Sequence, residues 1–292
     1  MDDIRITERT INIEDVFRKK NPGLTKFIPG FVFGYLRNKI HEKEINAILY
    51  NHRDLIGLDF LDMLVREFGA IIQVDGAENI PAKGRVLIAS NHPLGGLDGV
   101  ALMHAVGKIR KDLIFPVNDI LLFLPNLRPL FVPINKHGTN TENLGMIREA
   151  FASDKIMLYF PAGLVSRKQK GKIEDLPWKK TFLSKAIKFE RNIIPAYIDG
   201  RNSAFFYYLA NLRKKLNIKA NLEMLFLPDE MFRQKNKVIR ITFGKPVPYD
   251  IFGNQYTQDQ WTQKIRNYVY AMKDGPIEPF DPEKEYTSLK TS

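Results

Sequence analysis

The 292-residue sequence predicts an α/β fold: a mixed, largely parallel sheet covered by helices, with a small N-terminal helical segment in front. Three observations carry this. From Ala70 onward, short apolar runs alternate with longer runs of helical period, the pattern of a sheet covered on both faces. One such pair, Val86-Leu87-Ile88-Ala89 and Val100 to Ile109, is joined by a glycine-rich loop, Ser90 to Gly99. Hydrophobic residues make up 44% of the chain and cysteine is absent, so stability must come from an apolar core and not from disulfides.

Taken in order, residues 1–69 read as an N-terminal helical and interfacial segment, 70–273 as the main domain and 274–292 as a loosely held tail rich in Pro and charge. Ile13 to Lys19 predicts a short helix. Leu24 to Arg37 is aromatic, basic and interrupted by glycine; it fits either a bilayer surface or an arm packed on the core. Ile45, Ile48 and Leu49 form one helical stripe, and Leu58, Leu61, Leu64 and Val65 another. Asn51-His52-Arg53-Asp54 lies between them, with no strand before it, and reads as a solvated junction. Strands are expected at Ile71–Val74, Val86–Ala89, Leu113–Val117, Leu130–Ile134, Ile156–Phe160, Ile193–Ile198, Leu222–Leu227 and Val238–Phe243. Helices are expected at Gly99–Ile109, Glu142–Phe151, Trp178–Glu190, Ser203–Leu216 and Gln258–Met272. Thr139-x-x-Glu142 has the pattern of a capping box.

The loop after Val86–Ala89 holds the first candidate chemistry. Open α/β sheets place their sites outside the carboxyl ends of strands. His92 can take a proton near neutral pH, and a carboxylate can orient it. Five residues separate His92 from Asp98, and Gly95 and Gly96 let the chain fold back between them. The pair also fits a plainer description, His92 in a turn and Asp98 starting the helix.

A second stretch, Tyr159-Phe160-Pro161-Ala162-Gly163-Leu164-Val165-Ser166-Arg167, also follows a strand-like run. Together with Asn91-His92 and Asp98, it resembles the blocks of the glycerolipid and lysophospholipid acyltransferase (PlsC-like) family. Arg128-Pro129-Leu130-Phe131-Val132-Pro133-Ile134 resembles the second block of that family, and Ile193-Ile194-Pro195-Ala196 the fourth. Four blocks in order, over roughly Ile71 to Gly244, are more specific than any one of them. The family commonly has four residues between His and Asp, where this chain has five, and a Glu in the third block, where this chain has Ala162. These features resemble the hemolysin-like branch, associated with lysolipid O-acylation, including ornithine and glycine lipids.

The resemblance implies a glycerol-3-phosphate acyltransferase-like fold and transfer of a fatty acyl group from an acyl carrier protein or coenzyme A thioester to a lysolipid hydroxyl. The acceptor would be a lyso-amino-acid lipid or 1-acylglycerol-3-phosphate. It implies His92 as general base, oriented by Asp98. Asn91, Gly95, Gly96, Arg128, Phe160, Pro161, Gly163, Ser166 and Arg167 are the substrate-binding candidates. Amides of the Gly95–Gly96 loop or of Gly163 are candidate oxyanion donors, and Ser166 and Arg167 candidates for the headgroup. The alternatives for the cations are a solvated basic loop (Arg167, Lys168, Lys170, Lys172) and an ion pair at Arg128. A non-catalytic membrane-surface protein that keeps the fold is the competing reading.

With 44 basic and 33 acidic residues, net charge is +11, which favours an anionic partner. No nucleic-acid module is present, which leaves an anionic membrane or an acidic substrate, and the lipid acceptor that the resemblance implies points to an anionic membrane surface. Ser203 to Leu209 followed by Arg213-Lys214-Lys215 combines aromatic and basic character suited to an interface. Trp178 reads as packed on the core. No Gly-x-Ser-x-Gly elbow, P-loop or dinucleotide fingerprint occurs, and no metal-ligand spacing, so neither metal nor cofactor is expected. The acidic, polar start does not read as a signal peptide, and no run is long enough to span a bilayer. The expectation is a cytoplasmic protein, peripheral on the inner face of the membrane.

Overall fold

The computed structural model describes residues 6–7, 10–20, 23, 28–134 and 141–286. Helices α1 (Ile13–Lys20), α2 (Gly30–Lys39), α3 (Glu42–Asn51) and α4 (Leu58–Glu67) open the chain. The sheet domain follows with β1 (Ile71–Asp75), β2 (Val86–Ser90), α5 (Gly96–Gly107), β3 (Leu113–Val117), β4 (Phe131–Pro133), α6 (Thr141–Ala152) and β5 (Ile156–Tyr159). Next come the strands β6 (Arg167–Gln169) and β7 (Lys172–Glu174), then α7 (Thr181–Lys188), β8 (Asn192–Ile198) and α8 (Ala204–Lys215). The last elements are α9 (Leu227–Phe232), β9 (Val238–Phe243) and α10 (Gln258–Ala271).

The main sheet has seven strands in the order β1-β9-β8-β2-β5-β3-β4. Every neighbouring pair is parallel except β8 with β9. This is the mixed, largely parallel sheet the alternating runs predict. Successive side chains of a strand face opposite layers, and the two cores divide accordingly. Ile88, Leu158 and Ile194 pack with Phe60 and Leu64 of α4 and Val100 to Val106 of α5. Leu87, Met157 and Ile193 pack with Phe182 and Leu183 of α7 and Trp261, Ile265 and Tyr268 of α10. Burial on both faces explains why the central strands read as continuous apolar runs.

Some expectations change. Leu222–Leu227 is not a strand: Leu222–Phe226 is a 3-10 turn that runs into α9. The run is apolar but holds only Leu, Met, Phe and Glu, with no β-branched residue, so it coils. The basic stretch Arg167 to Glu174 is not a loop but the antiparallel pair β6–β7. Lys170 and Gly171 take φ of 47° and 83° at its turn, the left-handed pair that a tight hairpin needs. The helix expected from Trp178 begins at Thr181, and the one expected from Gly99 begins at Gly96. The end of the chain is anchored as far as Tyr286. Phe280 and Tyr286 pack on Tyr268, and Tyr268 donates to the Glu278 carbonyl. Thr139 of the expected capping box lies outside the described residues.

Asn51 to Asp54 forms the turn after α3, as read, held by Asn126, whose amide donates to the carbonyls of His52 and Leu55. In α2, Phe33 and Leu36 are buried, whereas Phe31 and Tyr35 stand in solvent. One face of that helix therefore packs on its neighbours, as the packed-arm reading expects, while the other leaves two rings exposed.

Candidate active site

The central strands β2, β5 and β8 run parallel, so their carboxyl ends share one edge. The segments after them converge there: residues 91–95 after β2, 160–166 after β5 and 199–203 after β8. Asn91 fixes the first to the third. Its amide donates to the Ile198 carbonyl at 2.9 Å and accepts from the Ile198 N–H at 2.7 Å. A two-point lock on a strand end shapes the turn that presents His92, so the amide of Asn91, a substrate-binding candidate from sequence, is engaged within the protein.

His92 Nδ1 lies 2.9 Å from Asp98 Oδ2. The same oxygen accepts from the N–H groups of Leu94 at 2.7 Å and Gly95 at 3.0 Å. Asp98 is fully buried at the third position of α5, near the positive end of the helix dipole. Burial pushes its carboxyl above the ordinary range, while His92 and the two amides pull the other way. With two backbone N–H groups on Oδ2, that oxygen is an acceptor, so the ring nitrogen facing it carries the proton. Nε2 is then the basic nitrogen, and it meets no partner among the described residues. The ring stacks on Phe160, centroids 4.2 Å apart at 12°, and Phe115 stands edge-on to Phe160. The imidazole is thus held by a hydrogen bond at one edge and an aromatic face.

Gly95 makes the fold-back possible. Its φ is 86°, and a side chain there would press on Leu227. Both strain and space exclude other residues. Two expected oxyanion donors are already engaged: the Gly95 N–H on Asp98, and the Gly163 N–H on the Phe160 carbonyl at 3.0 Å. Gly96, the first residue of α5, contributes an N–H that its own helix cannot satisfy.

The third block is tied to the first by a residue the sequence did not reveal. Asp175 is buried, and its Oδ1 accepts from the His92 N–H at 3.1 Å and the Ser166 hydroxyl at 2.6 Å. Its Oδ2 accepts from Trp178 Nε1 at 2.8 Å. The Ser166 N–H donates to the His92 carbonyl at 2.8 Å. Ser166 and Trp178 therefore position His92. Asp175→Ala would strand three buried donors. It is expected to cost on the order of 3 kcal/mol in chemical denaturation and to lower kcat through a displaced loop, whereas Asp175→Asn should recover much of both.

Arg167 is turned inward. Its guanidinium donates to Glu223 at 2.7 Å beside the Phe206 ring, and Glu223 also accepts from Arg213. Its charge is met inside the protein, where it joins β6 to the 3-10 turn. Arg128 donates to the Leu122 carbonyl at 3.0 Å within a 3-10 segment. Pro161 and Ala162 are buried, and Gly163 is exposed. The ammonium of the exposed Lys179 lies 3.7 Å from where a Gly163 Cβ would stand. Lys179 thus supplies a cation beside the third block. It escaped sequence reading because it lies outside all four blocks and because no periodicity marks it.

The acyltransferase family profile matches residues 15–275. The chain belongs to the acyltransferase family. This acyltransferase is 44% identical to the lyso-glycine lipid O-acyltransferase of Bacteroides thetaiotaomicron over 264 residues, covering 90% of this chain and 97% of that one. It is 42% identical to the enzyme of the same name from Phocaeicola vulgatus, covering 90% and 95%. Among solved structures it is similar to the 1-acyl-sn-glycerophosphate acyltransferase PlsC from Thermotoga maritima, with a TM-score of 0.49 and 18% identity over 83% of this chain and 89% of that one.

Proposed function

We propose that this acyltransferase moves a fatty acyl group from a thioester to the hydroxyl of a lyso-amino-acid lipid of the glycine type, with His92 as general base. The observation that carries the reading is the His92–Asp98 pair at 2.9 Å, with Nε2 meeting no partner among the described residues, in a chain 44% identical to a lyso-glycine lipid O-acyltransferase. The acceptor hydroxyl gives its proton to Nε2 as its oxygen attacks the thioester carbonyl carbon. The tetrahedral oxyanion collapses, the C–S bond breaks, and the thiolate takes the proton back from the imidazolium. An ester and a free thiol result, with no acyl-enzyme. General-base help of this kind is worth about 10²–10⁴ in rate. The Gly96 N–H at the start of α5 is our candidate oxyanion donor.

Lys179 is our candidate for the acceptor carboxylate. A carboxylate needs one cation near the reacting centre, and Arg167 is buried and already engaged by Glu223. The test is purified protein with acyl carrier protein and coenzyme A thioesters, offered lyso-glycine lipid, lyso-ornithine lipid and 1-acylglycerol-3-phosphate in mixed vesicles. Transfer should favour lyso-glycine lipid, and Lys179→Ala should raise the acceptor KM roughly tenfold with kcat nearly unchanged. Transfer to 1-acylglycerol-3-phosphate alone would refute the acceptor. Equal rates with His92→Ala would refute the catalytic assignment and favour a non-catalytic lipid-binding role.

We place the reaction at a membrane surface, on the inner face where such thioesters are made. No helix among the described residues is long and apolar enough to cross a bilayer. Support comes from an aromatic line joining two helices. Tyr35 of α2 and Phe205 of α8 both meet the Phe226 ring, with centroids 6.5 and 5.3 Å away. Phe31 is 78% and Tyr208 64% exposed on the same helices, and Lys214 and Lys215 end α8. Rings for the interface and cations for headgroups are the two signals that peripheral binding needs. The double variant Phe31→Glu/Phe205→Glu is expected to weaken sedimentation with anionic vesicles at least tenfold, while sparing transfer to an acceptor presented in detergent.

A further inference from the structure

The segment after β8 borders a second feature of the active-site edge, an open cleft of about 940 Å³. Its walls come from α8, from the stretch Glu230 to Lys237 and from the β6–β7 hairpin. The volume lies at the upper end of small-molecule sites. Lys168, Arg201, Arg233 and Lys237 line it. Of these, Arg233 pairs with Asp229 at 3.0 Å, while Lys168, Arg201 and Lys237 have no carboxylate partner among the described residues. Glu230 is the acid on the wall, and both its oxygens are taken by Ser203, one by the N–H at 2.7 Å and one by the hydroxyl at 2.5 Å. Ser203 is neutral, so Glu230 keeps its charge, and the cleft sets three cations without a carboxylate partner among the described residues against one carboxylate, a net positive charge.

One wall residue of the cleft also braces the catalytic loop from behind. Asn202, buried on its wall, donates to the Pro93 carbonyl at 3.1 Å, one residue after His92. Asn202 Oδ1 is buried without a hydrogen-bond partner among the described residues. A buried amide oxygen without a protein donor leaves an acceptor to spare at this wall.

We infer that this cleft takes the phosphopantetheine portion of the acyl donor. This rests on the thioester chemistry proposed above. The charge count decides between the two substrates. A glycine-type acceptor offers one carboxylate, which Lys179 can meet. Three unpaired cations suit a phosphate-bearing ligand. A pantetheine arm carries its thioester at one end and a phosphate at the other, with amide N–H groups between. With its phosphate among Lys168, Arg201 and Lys237, the arm would run past the Asn202 wall toward the segment that carries His92. Coenzyme A and the prosthetic group of an acyl carrier protein share this chemistry.

The experiment uses the triple variant K168A/R201A/K237A. All three side chains are exposed, so the fold should survive their removal. Calorimetry measures binding of unacylated coenzyme A, holo acyl carrier protein and apo acyl carrier protein, without turnover. The wild type should bind coenzyme A or the holo carrier, and the triple variant should bind it roughly a hundredfold more weakly. The donor KM should rise in step, with the acceptor KM unchanged. Binding of coenzyme A alone names it as donor; binding of the holo but not the apo carrier names the carrier. The proposal is overturned if the wild type binds neither, if the triple variant binds as the wild type does, or if its loss falls on anionic vesicles or the acceptor KM instead. Because binding is read without catalysis, failure of the cleft assignment stays separate from failure of the acyl-transfer reading.

Discussion

Replacing His92 by alanine is expected to lower kcat for acyl transfer by about 10²–10⁴, with folding and vesicle binding near those of the wild type. The fold should survive because Asp98 is not left as a bare buried charge. Burial already raises its carboxyl, losing the imidazole removes a group that holds it down, and Oδ2 still accepts from Leu94 and Gly95. Asp98→Asn tests a different step. The amide oxygen can occupy the place of Oδ2, because two backbone N–H groups demand an acceptor there. His92 then keeps its Nδ1 proton and Nε2 stays basic. What is lost is the negative charge that stabilises the imidazolium formed during transfer. The amide nitrogen falls where Oδ1 sits buried without a partner among the described residues, which costs roughly 1–3 kcal/mol of stability. Asp98→Asn should therefore lose less rate than His92→Ala but more stability. Steady-state kinetics with a fixed donor, paired with urea denaturation, reads both. Full activity in either variant would mean that another group takes the proton.

The residues that could be found from sequence are those that act on near neighbours in the chain. His92 and Asp98 are six positions apart and flank a glycine turn, so loop and pair are visible together. Strands buried on both faces announce themselves as apolar runs, and β2, β5 and β8 stand where those runs are. What escaped depends on long-range partners. Asp175 reaches His92 across 83 positions, and nothing in Glu174-Asp175-Leu176 marks it. Arg167 looks like a surface cation until Glu223, 56 positions on, is folded against it. The β6–β7 hairpin is written in charged residues with no apolar alternation, so only the Lys170-Gly171 turn could have hinted at it. The strand expected at Leu222–Leu227 failed because apolarity without β-branching does not distinguish strand from coil.

Arg191→Leu is expected to destabilise this acyltransferase by roughly 3–5 kcal/mol, a fall in Tm on the order of 10 °C, without altering kcat of the folded enzyme. Arg191 is fully buried at the start of β8, the edge of the sheet away from His92. Its guanidinium has five N–H groups, and each meets a main-chain carbonyl. Nε donates to Phe151, Nη1 to Val86 and Lys155, and Nη2 to Ala150 and Ser153. Ala150, Phe151 and Ser153 are the carbonyls at the end of α6, which the helix itself cannot satisfy. The cation also sits at the negative end of that helix. Burial lowers its pKa to about 10, which still leaves it charged at neutral pH. Leucine would fill part of the volume and leave five buried acceptors unpaired. Arg191→Lys should rescue little, since three donors on one nitrogen cannot span five carbonyls. Thermal denaturation separates these expectations: a Lys variant as stable as the wild type would show that charge alone, not the planar fork, holds α6 to β2 and β8. The division of labour follows the sheet, with stability fixed where the strands begin and chemistry placed where they end.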